Sequence, residues 1–382
     1  MKDLAFPEDE YRRRFDLVCD MAKERKIDYL LITEPSHVCW LSGFDPVGLF
    51  YKNQLHIDVK SGDAAVMTHR AEEKMAAMNS WIDRLLIWHH GSDPMRVAVD
   101  HAKKYLAGAG EKVMGMNLQT PYFPIADYYA IRGGLGKVGV VDVTKMIDDA
   151  RMKKSEPELL VVRQAAEWAG EALKAAYAVI KPGVREKDIN TVIQEKIASS
   201  GSEYPAFPTL VSSGPRTGLF HALPGERIIE EGDPIMIEIM GVHKRYHASV
   251  VRTVFAGKAS QEARKIYELV LNAYEAGLSA IKPGNPVGDI DKATCEVRKG
   301  YEQYIPARTG FGVELGYPPS PMGNLSILQG EPYVLEPGLA FTMEPSISGY
   351  NDWTIIIGNC VVITEDGYDL LFDQNVGLLE LG

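Results

Sequence analysis

The chain has 382 residues, 46% of them apolar and 24% charged, with a formal net charge of −11. That length exceeds what one ordinary core serves, so two domains are expected, and the composition is that of a soluble globular protein. The acidic balance argues against a nucleic-acid partner, which would need a basic footprint. No apolar run reaches the length of a membrane span, and the charged start MKDLAFPEDEYRRRFD holds no signal-peptide core. Cys19, Cys39, Cys295 and Cys360 are scattered without CxxC or CxxH spacing. They read as reduced thiols of a cytoplasmic protein, not as a disulfide framework or a zinc site.

Residues 9–26 predict an opening helix, with Phe15, Val18, Met21 and Ala22 on one face. A strand over 27–32 follows, ended by the Glu34-Pro35-Ser36 turn, and then an apolar segment over 37–44 with a glycine break. Strand-like pieces at 64–67, 85–88 and 138–141 alternate with helical pieces around 70–78, 94–107 and 124–132. Such alternation describes an α/β domain. The charged run 148–155 marks the boundary, giving domains 1–152 and 153–382.

Ser155-Glu156-Pro157-Glu158 reads as a helix N-terminus. An amphipathic helix over 156–180 follows, with Leu159, Val162, Ala166, Ala169 and Leu173 on one stripe. A second helix is expected near 186–199, and an equivalent pair at 259–281 and 286–303. The stretches 202–255 and 310–371 are strand-rich, which makes the second domain α+β.

That domain carries an internal repeat. IIEEGDPIMIE (228–238) and VLEPGLAFTME (334–344) match position for position, and Glu238 and Glu344 each fall six residues after the glycine. Upstream, IKPG recurs at 180–183 and 281–284. The repeat implies two helix-turn-helix-strand halves about a pseudo-twofold, with both glutamates brought to one central site on equivalent strands. The alternative is a chance match between amphipathic segments. Glu238 stands in a run apolar on both faces, where an ionised carboxylate is costly unless paired or used.

His221 leaves a Gly/Ser/Pro-rich loop one short connection before the Glu238 strand, well placed to carry a proton. The glutamates could ligate a metal, act as an acid/base or nucleophile pair, or clamp a cation. A dinuclear hard-metal site wants about four to six carboxylate or imidazole ligands, and the companions are missing. His243, His247 and Ser249 follow Glu238, but no Asp precedes Arg252-Thr253; residues 311–319 hold no His, and 353–362 hold no acid. No metal or other cofactor is therefore expected. Phe220, His247, Tyr317 and Trp353 are candidates for the substrate pocket.

These motifs, FHALP at 220–224, GDPIMIEI at 232–239, RYHASVVRT at 245–253, EPGLAFTMEPSI at 336–347 and VVITEDG at 361–367, resemble the creatinase/aminopeptidase P family over nearly the whole chain. The resemblance implies an RNase-H-like α/β first domain, a duplicated pita-bread catalytic domain and a homodimer. Peptidase members hold two metal ions with Asp, Asp, His, Glu and Glu, and the matching positions here are Glu238, Ser249, Phe311, Glu344 and Gly358. Metal-independent members include creatinase, whose catalytic His matches His221, although creatinase has no acid at Glu238 and carries Glu at Val251. Stretches 237–253 and 310–319 are more similar to the ectoine hydrolases, with a departure at 320–324.

The expected activity is therefore metal-free hydrolysis of a non-peptide C–N bond in a small amidine-type compound, ectoine-like first and creatine-like second. Glu238 serves as nucleophile or base, His221 as proton shuttle and Glu344 as cation clamp. The rivals are a metal-dependent Xaa-Pro dipeptidase or aminopeptidase, and a non-catalytic ligand-binding relative.

Overall fold

Helical and strand periods alternate through the first 150 or so residues, and the computed structural model shows how they assemble. It describes residues 2–108, 110–372 and 376–382, which form two compact units, 1–151 and 152–382.

In the first unit, strands β1 (Tyr29–Ile32), β2 (Gln54–Asp58), β3 (Ala64–His69), β4 (Leu85–Trp88), β5 (Val113–Met116) and β6 (Gly139–Asp142) form one sheet in the order β4-β3-β2-β1-β5-β6. β2 lies antiparallel between β1 and β3, and the other pairings are parallel. The helices are α1 (Glu8–Glu24), α2 (Pro35–Ser42), α3 (Glu73–Asn79), α4 (Pro94–Leu106), α5 (Ile125–Leu135) and α6 (Thr144–Met152). One expectation changes here. The apolar segment at 37–44 is helix α2, because Glu34 accepts the Ser36 N–H at its start and Gly43, at φ 83°, ends it in the left-handed region. The first part of the charged run closes α6 and is largely buried: Asp148 meets His37 at 2.8 Å, and the Arg151 guanidinium donates to the Ser36 hydroxyl at 2.9 Å.

The second unit begins with α7 (Glu156–Tyr177), whose Ser155–Glu158 capping box is formed, and α8 (Glu186–Ser199). Then come β7 (Leu210–Ser213), β8 (Pro234–His243) and β9 (Tyr246–Ala256). The second half repeats this with α9 (Gln261–Ala280), α10 (Gly288–Val297), β10 (Gly310–Tyr317), β11 (Ser320–Ile327), β12 (Ala340–Met343), β13 (Ser346–Tyr350) and β14 (Trp353–Ile363), followed by β15 (Tyr368–Leu370) and β16 (Glu380–Leu381).

The duplication extends to single hydrogen bonds. Gly183 N–H donates to Ile229 O at 2.9 Å, and Gly284 N–H to Leu335 O at 2.8 Å. The sheet runs β11-β10-β12-β14-β9-β8-β7, yet β10 also bonds β9 directly at Leu315–Tyr246. A pairing between strands that far apart in the order requires a sheet bent back on itself. Its outer face packs on helices so closely that a Cβ at Gly241 would collide with the Ala165 carbonyl of α7. Its concave face carries the site.

Candidate active site

Strand alternation decides which side chains meet. On β8, Met236, Glu238 and Met240 share one face, and the intervening isoleucines fill the other. Glu238 lies opposite Val251 on β9 and Leu210 on β7. Glu344 falls one residue beyond the end of β12, the strand that matches β8 in the repeat. Pro345 has no N–H for the ladder, and Glu344 N–H instead donates to Thr309 O at 2.8 Å. His221 follows a 3-10 turn, Gly214–Leu219, that ends on Phe220 at φ 47°. Its imidazole packs edgewise on Phe207 and tilted against Phe220, with ring centroids 5.5 and 5.1 Å away.

His221, Glu238, Glu344 and Phe220 all line one cavity of about 180 Å3. That is smaller than the roughly 300–1,000 Å3 of pockets for drug-sized ligands, so the space suits a small metabolite. Most of the remaining wall is apolar, including Phe207, Met236, Met240, Phe311 and Ile356. Such a wall strengthens every charge interaction inside it.

Burial pushes Glu238 up from its ordinary value of 4.5 to about 7, and the Ser249 hydroxyl pulls partly the other way. Glu344 is raised well above the carboxylate range by burial and then by the charge of Glu238, with Arg308 opposing. Two carboxylates in one apolar cavity do not both ionise readily, so near neutrality the pair keeps a proton.

Three residues expected in the pocket lie outside it. His247 shares the concave face but sits beyond Met240, buried, with Nε2 accepting the Ala206 N–H at 2.9 Å. Tyr317 lies six residues along β10 from Phe311, past two register shifts, and its ring packs against the Arg245 guanidinium at 4.9 Å. Trp353 has the strand parity of Ile355 and Ile357 and packs with them in the core, whereas Ile356 and Gly358 face the site.

Arg308 is the cavity residue that sequence reading missed. Its guanidinium meets the Ser326 hydroxyl at 3.3 Å, the Met322 thioether, and the Phe311 ring at 5.5 Å. Among the described residues no carboxylate pairs with it. The available signal was a lone cation two residues before the buried strand that opens at Gly310.

The donor set does not fit a dinuclear metal centre. Of the five positions matched to metal ligands, only Glu238 and Glu344 keep a carboxylate. Phe311 presents a ring to the cavity. At Gly358 even a Cβ would lie 3.0 Å from the Glu344 and Val251 Cβ atoms, leaving no room for an acid without rearrangement. Among the described residues no group of three His, Cys, Asp or Glu side chains is arranged to hold a metal.

A curved, duplicated sheet with two opposed carboxylates defines the creatinase/prolidase class of pita-bread enzymes. Residues 161–365 match the model of metallopeptidase family M24, and residues 14–153 match the creatinase/prolidase N-terminal domain. The chain belongs to the M24 family. It is 28% identical to the ectoine hydrolase of Halomonas elongata over 97% of both chains. It is 27% identical to the Xaa-Pro dipeptidase of Pyrococcus furiosus, over 93% of this chain and 96% of that one. The prolidase structure of Pyrococcus horikoshii superposes with a TM-score of 0.84 at 25% identity, covering 96% of this chain and all of the other. Among the described residues no helix is long and apolar enough to cross a membrane.

Proposed function

We propose that this M24 hydrolase works without metal on a non-peptide C–N bond of a small amidine-type compound, with an ectoine-like cyclic amidine first and a creatine-like guanidino acid second. The observation that carries the reading is the site's donor set: two glutamates and a histidine remain in a small apolar cavity, and three of five metal-ligand positions hold Ser249, Phe311 and Gly358.

An amidinium is a planar cation with paired N–H donors, and carboxylates are its natural partners. Its entry stabilises both glutamates as anions and drives out the proton they keep when empty. Glu238, with a pKa raised to about 7, is tuned to act as base or nucleophile at neutral pH. Glu344 holds the cation, and His221 at the cavity mouth delivers a proton to the departing nitrogen. Arg308 offers a bidentate donor fork to a carboxylate on the same substrate.

The likeness to Xaa-Pro dipeptidases supports a second reading, cleavage of a dipeptide by a metal-dependent site. A turnover panel separates the two. Ectoine, hydroxyectoine or creatine should be hydrolysed and X-Pro dipeptides left intact; the reverse pattern removes the amidine reading. The active form in this proposal is a homodimer, and a fully active monomer by light scattering contradicts that part.

A further inference from the structure

Next to the cavity lies a second, smaller void. Met240, Phe311 and Pro321 line both spaces, so the Phe311 ring stands between them. The remaining wall includes His247, Ser249 and Thr342. All three are polar, and they are 3%, 2% and 0% exposed. Among the described residues, Ser249 Oγ, Thr342 Oγ1 and His247 Nδ1 have no hydrogen-bond partner. Because His247 Nε2 accepts the Ala206 N–H, its proton sits on Nδ1, near the Arg245 and Glu314 carbonyls but in hydrogen-bonding geometry with neither.

Buried hydroxyls are almost always satisfied by protein or water. Here several orphans meet at one void that has no room for a water while Phe311 occupies its present position. Register explains the convergence. Ser249 pairs with Met240 across β8 and β9, and Thr342 pairs with Phe311 across β10 and β12, so each hydroxyl projects from the concave face. Ser249 is also the diagonal neighbour of Glu238, which lies opposite Val251. The hydroxyl is near enough to that carboxylate to act on its proton affinity.

We propose that this void is the water pocket of the site: with Phe311 turned aside it opens into the cavity, and Ser249 and Thr342 hold the water that Glu238 activates. This rests on the metal-free reading above, because a hydrolase without a metal must fix its water by hydrogen bonds alone. The step balances. The water oxygen forms a C–O bond to the amidinium carbon as one of its protons passes to Glu238. The C–N bond then breaks with its electron pair going to nitrogen, and His221 relays the proton to that nitrogen. Ser249 and Thr342 are positioning residues, since they touch the water and not the substrate.

The test combines kinetics and crystallography. Ser249→Ala and Thr342→Val, singly and together, should lower kcat by about ten- to a hundredfold. Substrate KM should stay within about twofold, and Tm should be unchanged or higher because an orphaned hydroxyl is removed. Thr342→Ser, which keeps the hydroxyl, should retain most of the rate. A crystal of the wild type with a non-hydrolysable amidine should show Phe311 rotated and a water bonded to Ser249 and Glu238. Unchanged kcat in the folded double variant, or no water in that crystal, overturns the pocket while leaving the amidine reading intact. An anomalous metal peak at that position, with activity only after metal addition, overturns both.

Discussion

Glu238→Gln should stabilise the protein at neutral and alkaline pH while it abolishes turnover. The folded state raises the Glu238 carboxyl from 4.5 to about 7, so it binds that proton more tightly than the unfolded chain does. Stability from this group is therefore whole below about pH 4.5 and is lost as pH climbs through about 7. The gap corresponds to at most about 3 kcal/mol, and the opening of the side chain onto the cavity reduces it to about 1–3 kcal/mol. Glutamine has no proton to lose and nearly the same shape. For a unit of this size that amounts to roughly 2–10 °C in Tm. Calorimetry from pH 4.5 to pH 8 should show the two proteins nearly equal at the acid end and the variant ahead at the alkaline end. If Glu238→Gln is no more stable than wild type at pH 8, the carboxylate has a stabilising partner when charged, and its role as a strained base is wrong.

Other outcomes follow from the same geometry. Calorimetric titration of an amidinium ligand near pH 7 in buffers of different ionisation enthalpy should reveal proton release approaching one per site; none would mean that the glutamate pair is not its partner. Glu344→Gln should weaken amidinium binding by about one to two decades, the worth of a charge-assisted hydrogen bond of roughly 1.5–3 kcal/mol, whereas Glu238→Gln should keep binding and lose turnover. Arg308→Gln should raise KM for a carboxylate-bearing substrate by a similar factor and leave its ester unaffected, and equal effects on both refute the anchor. His221→Ala should lower kcat by about a hundredfold to ten-thousandfold with binding preserved, measured by turnover beside a binding isotherm.

The duplicated frame was legible because period and turn chemistry agree in both halves. IKPG repeats ahead of a second helix, and Gly232 and Gly338 take the left-handed conformation, at φ 84° and 91°, at the matching step before β8 and β12. Glu238 and Glu344 stood out as acids in apolar surroundings, a local signal. Pocket membership was harder to read, because it depends on strand parity and sheet curvature together. Trp353 fails on parity, Tyr317 on distance along β10, and His247 lies on the right face but beyond the cavity. Arg308 enters the cavity from the loop ahead of β10, a placement that rests on tertiary contacts with Phe311 and Met322. The helix at 35–42 was hidden by its short length and uniformly buried surface, which leave no amphipathic period.

The most direct test of metal-free catalysis is metal content measured beside turnover of an amidine substrate, before and after exhaustive chelation. The site described here predicts far less than one metal ion per chain and an unchanged rate after chelation. Loss of the rate on chelation, with recovery on adding manganese, cobalt or zinc, would contradict it.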